Sequence, residues 1–346
     1  MLDGIRYHLK FTGKTSEYFG IWISNLFLTI VTLGVYSAWA KVRRKQYFYN
    51  NTLLENAPFG YHATGLQIFK GRVIVLIGFA ILNLIATFLP QIYFIFVIAL
   101  LFLTPHLVNL SLAFNAKVTS YRNVRFTFKG DYWEAFIAYI LMPLLAFISV
   151  GLLAPIAVRN LLKYVWNRLS YGGRDFETDF SVGEFYRLFG ISVILPVGCI
   201  WLVGLVLGVT SLATQSVTEY SGAFLTSGFF LLALAVYLYL FFIGFVYRVF
   251  CTTILFNRLS VEDKVYFSNT INPWRLLFIL ITNFFAIIVT LGFMIPWAQV
   301  RLQTYMCEHI ATRCTMDFDE FVAEATEYQS SIGEEFADFD GVDLGL

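Results

Sequence analysis

Charge is scarce in this chain. Asp, Glu, Lys and Arg make up only 14% of its 346 residues, whereas soluble domains carry roughly a quarter, so a wholly water-facing globule is excluded. The few charges nearly cancel to a net +1, and without a basic stripe nucleic acid is excluded as a partner. Cysteine is sparse too. Cys199, Cys251, Cys307 and Cys314 form no paired framework and read as free thiols. Cys307, His309 and Cys314 lack a fourth ligand at a zinc-like spacing, and Gly172-Gly173 lacks the lysine that would make a phosphate loop. No nucleophile, base and charge-stabilising group stand at a catalytic spacing, so neither an enzyme nor a cofactor is expected. The first residues carry Arg6, Lys10, Lys14 and Glu17 without an apolar core, which excludes a cleavable signal peptide there.

What the chain has instead is apolar length. It is 58% hydrophobic with a mean hydropathy of +0.69, and a helix needs roughly 20 apolar residues to cross a bilayer. Arg72 to Leu89 with Gln91 to Leu112, and Gly190 to Leu212 with Ala223 to Cys251, read as two pairs of membrane helices. Lys and Arg concentrate between the pairs, at 41–72, 117–129, 159–187 and 248–275. By the positive-inside rule those segments and the C-terminus are cytoplasmic.

A motif recurs. Asn25, Thr32-Leu33-Gly34, Trp39-Ala40, Arg43 and Tyr47 return as Asn283, Thr290-Leu291-Gly292, Trp297-Ala298, Arg301 and Tyr305. A diverged copy places Gly151, Pro155, Ala157 and Tyr164 in register between them. Each copy reads as an alternating stretch, an apolar helix stopped by glycine, and an aromatic-basic interfacial helix that begins at Ser37, Pro155 or Pro296. The fold expected is therefore an all-α polytopic membrane protein with short cytosolic β-strands at Ile5–Thr12, Val124–Phe128 and Lys264–Phe267. Its tandem units are 1–113, 114–256 and a truncated 257–328, followed by a disordered acidic tail at 329–346. Because the copies share sign and placement of charge, their glycine-broken helices read as re-entrant or strongly kinked, with four full spans, rather than as crossings in a seven-span, inverted design.

Phe11, Gly13, Tyr18-Phe19, Asn25, Thr32-Leu33-Gly34, Trp39-Ala40, Arg43 and Tyr47 together resemble the signature of the YjgN family of bacterial inner-membrane proteins, a domain of unknown function. Ala38 departs from the proline frequent in that family, which Pro296 supplies in the last copy. The resemblance implies a multi-pass protein of the bacterial cytoplasmic membrane. It implies no substrate and no catalytic residue.

Polar groups within apolar segments are the candidates for function, since an unsatisfied polar group in lipid is costly. Asn25 and Asn283 stand at equivalent places before the glycines, as helix glue or as part of a ligand site at a helix break. His106 beside Pro105 is a candidate proton-handling group. Arg43, Arg44 and Lys45 either fix topology or bind anionic lipid headgroups. The leading expectation is transport or channel-like passage of a small solute or lipid component. Two alternatives are a membrane scaffold binding a cytosolic partner through the acidic tail, which holds ten acidic and no basic residues from Asp317 to Asp343, and an anionic-lipid-interacting protein.

Overall fold

A computed structural model describes residues 5–191, 244 and 246–337. It corrects the all-α expectation at once. Ten strands, β1 (Ile5–Phe11), β2 (Thr52–Leu54), β3 (Ala57–Tyr61), β4 (Thr119–Tyr121), β5 (Val124–Phe128), β6 (Leu169–Tyr171), β7 (Arg174–Thr178), β8 (Leu259–Val261), β9 (Val265–Asn269) and β10 (Ile310–Cys314), pair antiparallel in chain order. The last closes on the first, Cys314 opposite Ile5 and Ala311 opposite His8. What reads as small β additions in the sequence is thus one closed barrel, which leaves no edge strand to pair elsewhere.

The two ends of the barrel differ. At one end tight turns join β2–β3, β4–β5 and β6–β7 through two residues and β8–β9 through three, each with two successive residues at positive φ: Glu55-Asn56, Arg122-Asn123, Gly172-Gly173 and Glu262-Asp263. Such turns match the right-handed twist of paired strands. At the other end every connection is long. Helices α1 (Thr15–Val31) and α2 (Ser37–Asn50) lie between β1 and β2, and α3 (Gly65–Phe88) and α4 (Pro90–Lys117) between β3 and β4. Between β5 and β6 run α5 (Tyr132–Phe136), a π-helical stretch Ile137–Leu141, α6 (Met142–Ile148) and α7 (Ala154–Asn167). Pro143 accounts for the π turn, because it has no N–H to donate and its ring crowds the carbonyl four residues back.

Residues 180–255, between β7 and β8, form a separate compact unit. There α8 (Val182–Phe189) buries Phe185 against Phe180. Most of the second expected membrane pair, together with Cys199, lies outside the described residues. Helices α9 (Pro273–Val289) and α10 (Ile295–His309) then connect β9 to β10, and α11 (Phe318–Ala337) follows the last strand. Among the described residues two helical segments, Gly65–Phe88 and Tyr93–Lys117, are long and apolar enough to cross a membrane.

Alternation along the strands fills the barrel with Leu54, Tyr121, Val124, Tyr171, Phe176, Leu259 and Val265, and α11 stops the turn end with Phe318, Phe321, Val322 and Ala325. Phe318 stands 5.0 Å from the Tyr7 ring and Phe321 stacks on Tyr171. Its acids are engaged as well: Asp319 meets Arg122, and Glu324 meets Arg174 and Lys264. A side chain at Gly172 or Gly173 would collide with Ala325 or Tyr328. Burial pushes the Tyr121 hydroxyl up to about 12 and raises Tyr171 as well.

Candidate functional site

Three of the long connections, α1–α2, α5–α7 and α9–α10, are helical hairpins built alike. The amide of Gly34 donates to the Thr29 carbonyl at 2.7 Å, that of Gly151 to Ala146 at 2.7 Å and that of Gly292 to Ile287 at 2.8 Å. These are the six-to-one bonds that close a helix through left-handed residues. The residue two before each glycine ties the limbs together. Thr32 Oγ1 donates to the Leu28 carbonyl and accepts the Tyr36 amide at 2.9 Å. Thr290 does the same between Ala286 and Met294, and Ser149 between Ala146 and Leu153. At the base, Tyr47, Tyr164 and Tyr305 each donate a hydroxyl to the backbone carbonyl just before the outgoing helix, of Lys14, Asp131 and Asn272.

Asn25 and Asn283 are buried between the limbs of their hairpins. Arg301 donates to Asn283 Oδ1 at 3.0 Å and to Thr282 at 2.8 Å, lies over the Trp297 ring, and Asn283 Nδ2 donates to the Ala298 carbonyl at 3.0 Å. Arg43 reaches Asn25 at 3.4 Å and the Tyr36 hydroxyl at 3.1 Å. Trp39 packs so closely over Gly65 that a Cβ there would overlap the indole. The recurring residues are thereby accounted for as parts of the hairpins themselves.

The first hairpin carries something more. Between α1, α2 and α3 lies a cavity of about 300 Å³ lined by Lys41, Arg44 and Arg72, by Asn25, Thr29 and Ser37, and by Tyr18 and Trp22. Arg72 donates to the Ser37 hydroxyl. Among the described residues none of these three cations lies within ion-pair distance of a carboxylate. Counting from the glycines, Lys41 and Arg44 correspond to Gln299 and Leu302 in the last hairpin and to Val158 and Leu161 in the middle one. This concentration of positive charge is therefore not demanded by the hairpin architecture.

The chain matches the family described as bacterial protein of unknown function (DUF898) over residues 6–339. It is 25% identical over 378 residues to inner membrane protein YjgN of Salmonella typhimurium, covering 95% of this chain and 94% of that protein. Against inner membrane protein YjgN of Escherichia coli O157:H7 it is 26% identical over 232 residues, 56% of this chain and 58% of the relative. The chain belongs to the YjgN family. These relatives are named for the inner membrane, and that is where the family places this chain. No solved structure matches it.

For this YjgN-family chain, the residues singled out in the sequence separate into distinct places. Of Arg43, Arg44 and Lys45, only Arg44 faces the cavity; Arg43 holds Asn25, and Lys45 donates to Asn115 and lies over the Tyr61 ring. Asn283 and His106 are not among the cavity's lining groups, and His106 is an exposed residue of α4. Lys41, Ser37, Trp22 and Arg72 are not among the site candidates of a reading that follows the repeated motif. The signal that finds them is their failure to repeat.

Proposed function

We propose that this inner-membrane protein binds anionic lipid, holding a phosphate-bearing headgroup in the cavity of the first hairpin. The observation that carries this is the cluster of Lys41, Arg44 and Arg72, which among the described residues meets no carboxylate within ion-pair distance and whose Lys41 and Arg44 have no basic counterpart in the other two hairpins. Position supports it. Arg72 immediately precedes the uncharged run of α3 from Val73 to Phe88, and so stands where a span enters the headgroup layer. Trp22 and Tyr18 add rings of the kind that favour that boundary. In this reading the hairpins are tandem copies of one unit, the protein is multi-pass, and the barrel with its C-terminal cap faces the cytoplasm, where the basic segments belong.

Passage of a solute draws less support. The described barrel is filled with aromatic side chains and stopped by α11, and neither Asn283 nor His106 lines the cavity that Asn25 lines. Of the ten acids from Asp317 to Asp343, Asp319 and Glu324 are engaged with the barrel, so a scaffold role would rest on the acids beyond them.

A basic residue near an anionic surface contributes about 1 kcal/mol, so the Lys41→Gln, Arg44→Gln double variant is expected to weaken headgroup binding by roughly 2 kcal/mol, about 30-fold. Native mass spectrometry of the purified chain titrated with phosphatidylglycerol and, separately, phosphatidylethanolamine reads this directly. A selective loss of phosphatidylglycerol is expected. Equal retention by the variant and the parent would remove the reading.

A further inference from the structure

The tip of each helical hairpin carries a strain that a different residue order would avoid. A helix ending through left-handed backbone normally puts glycine at the first left-handed position, because a Cβ there crowds the next carbonyl. Here that position is Leu33, Val150 or Leu291, at φ 50, 53 and 51, and the glycine follows one residue later. A β-branched residue at positive φ is an outlier, and strain of this sort persists where it serves a site. The side chains so placed bury nothing on their own chain: Leu33 is 94% exposed, Val150 93% and Leu291 90%. Apolar neighbours surround each crest, Ile30 and Val31 at the first, Phe147 and Ile148 at the second, Ile288 and Val289 at the third, all exposed.

We infer that the three tips are membrane-inserting wedges: Leu33, Val150 and Leu291 lie among the acyl chains, and each hairpin enters from the barrel side and returns without crossing. The return follows from connectivity, because both limbs of each hairpin are tied to neighbouring strands at the same end of the barrel. Lipid is the occupant because the exposed apolar groups lie on more than one side of the turns, as suits a fluid apolar solvent; a docked protein covers one face. The surface also continues into a span. Arg72 of α3 bonds Ser37, three residues past the Gly34 turn, so the first tip and the apolar run of α3 share one depth. The inference does not depend on the headgroup reading, which concerns only the first hairpin.

The test places a nitroxide at Leu33→Cys, Val150→Cys and Leu291→Cys of the full chain. The background has its four cysteines replaced by alanine, and the vesicles are phosphatidylethanolamine with phosphatidylglycerol. Lipid-soluble oxygen is expected to relax all three labels several-fold more than a water-soluble nickel chelate does, and a label at Asn56→Cys is expected to show the reverse. Chelate-dominated tips, tips immobilised against both reagents, or tips labelled by an impermeant maleimide from the face opposite the barrel would overturn it. If the cysteine-free chain misfolds, the same labels on a chain with only Cys199 replaced by alanine, whose remaining Cys251, Cys307 and Cys314 are buried, give the reading. Oxygen-dominated tips that persist in the Lys41→Gln, Arg44→Gln variant separate this inference from the headgroup proposal.

Discussion

Replacing Asn283 by leucine separates a clamp from a ligand site. Its side chain makes two hydrogen bonds, one to the charged Arg301 at 3.0 Å and one to the Ala298 carbonyl at 3.0 Å. A bond to a charged group contributes about 1.5–3 kcal/mol and a neutral one about 1. Arg301 keeps Thr282 and the Trp297 face after the substitution, and leucine has the same number of side-chain heavy atoms and a similar branched shape, so the net cost is about 2–3 kcal/mol. In a chain of this size that lowers the melting temperature by roughly 5–10 °C. The matched change Asn25→Leu removes one longer contact of 3.4 Å, while Arg43 retains Tyr36, and costs about 1 kcal/mol or less. Thermal unfolding of both variants in one detergent, followed by circular dichroism, gives the ranking. Equal and negligible shifts, with lipid or solute binding lost instead, would refute the clamp and return Asn283 to the ligand candidates.

Other outcomes follow from the barrel. Gly172→Ala introduces a Cβ at φ +54 directly against Ala325, so α11 is expected to lift. Limited proteolysis should then cut within 318–337 at least several-fold faster, and an unchanged digestion pattern would deny the cap its dependence on that turn. Truncating Phe321 to alanine opens the barrel end at a cost of about 3–5 kcal/mol, measurable as a loss of thermal stability larger than that of any single clamp residue. Tyr121 titrates higher in the folded chain than its ordinary 10.0 because burial disfavours the phenolate. Its contribution is therefore complete below pH 10 and is lost as pH rises from there to about 12. Ultraviolet titration of tyrosinate should show this class ionising with unfolding; free ionisation at pH 10 with the fold intact would contradict its burial.

How much of this is legible in the sequence differs by element. The hairpins are, because Thr-Leu-Gly and the Tyr thirteen residues later act within one short stretch of chain, where a local pattern and a local structure coincide. The barrel is not. Its strands are three to seven residues long, and five of its pairings close across inserted helices, so no window holds enough alternation to announce it. A signal did exist in the turns: Thr52-Leu53-Leu54-Glu55-Asn56, Thr119-Ser120-Tyr121-Arg122-Asn123, Leu169-Ser170-Tyr171-Gly172-Gly173 and Leu259-Ser260-Val261-Glu262-Asp263 are four versions of one strand-turn phrase. Gly172-Gly173, weighed only as a phosphate loop, is one of them. The amphipathic pattern of α11 is visible, but sequence spacing does not say that its apolar face closes a barrel nor that its acids meet Arg122 and Arg174. The cavity cations escape for another reason. Attention to what repeats selects what the scaffold needs, and Lys41, Arg44 and Arg72 belong to what it does not.

The central claim is that one closed barrel sits on one side of the membrane and sends the helical connections α1–α2, α3–α4, α5–α7 and α9–α10 into the bilayer from a single end. Single cysteines at Asn56, Asn123 and Asp263, exposed residues of three different turns, test it in inverted and right-side-out vesicles with an impermeant maleimide. All three are expected to react from the same face, the cytoplasmic one. Reaction of Asn56 and Asn123 from opposite faces would show that α3 and α4 do not return to the barrel they leave, and the closed barrel could not stand.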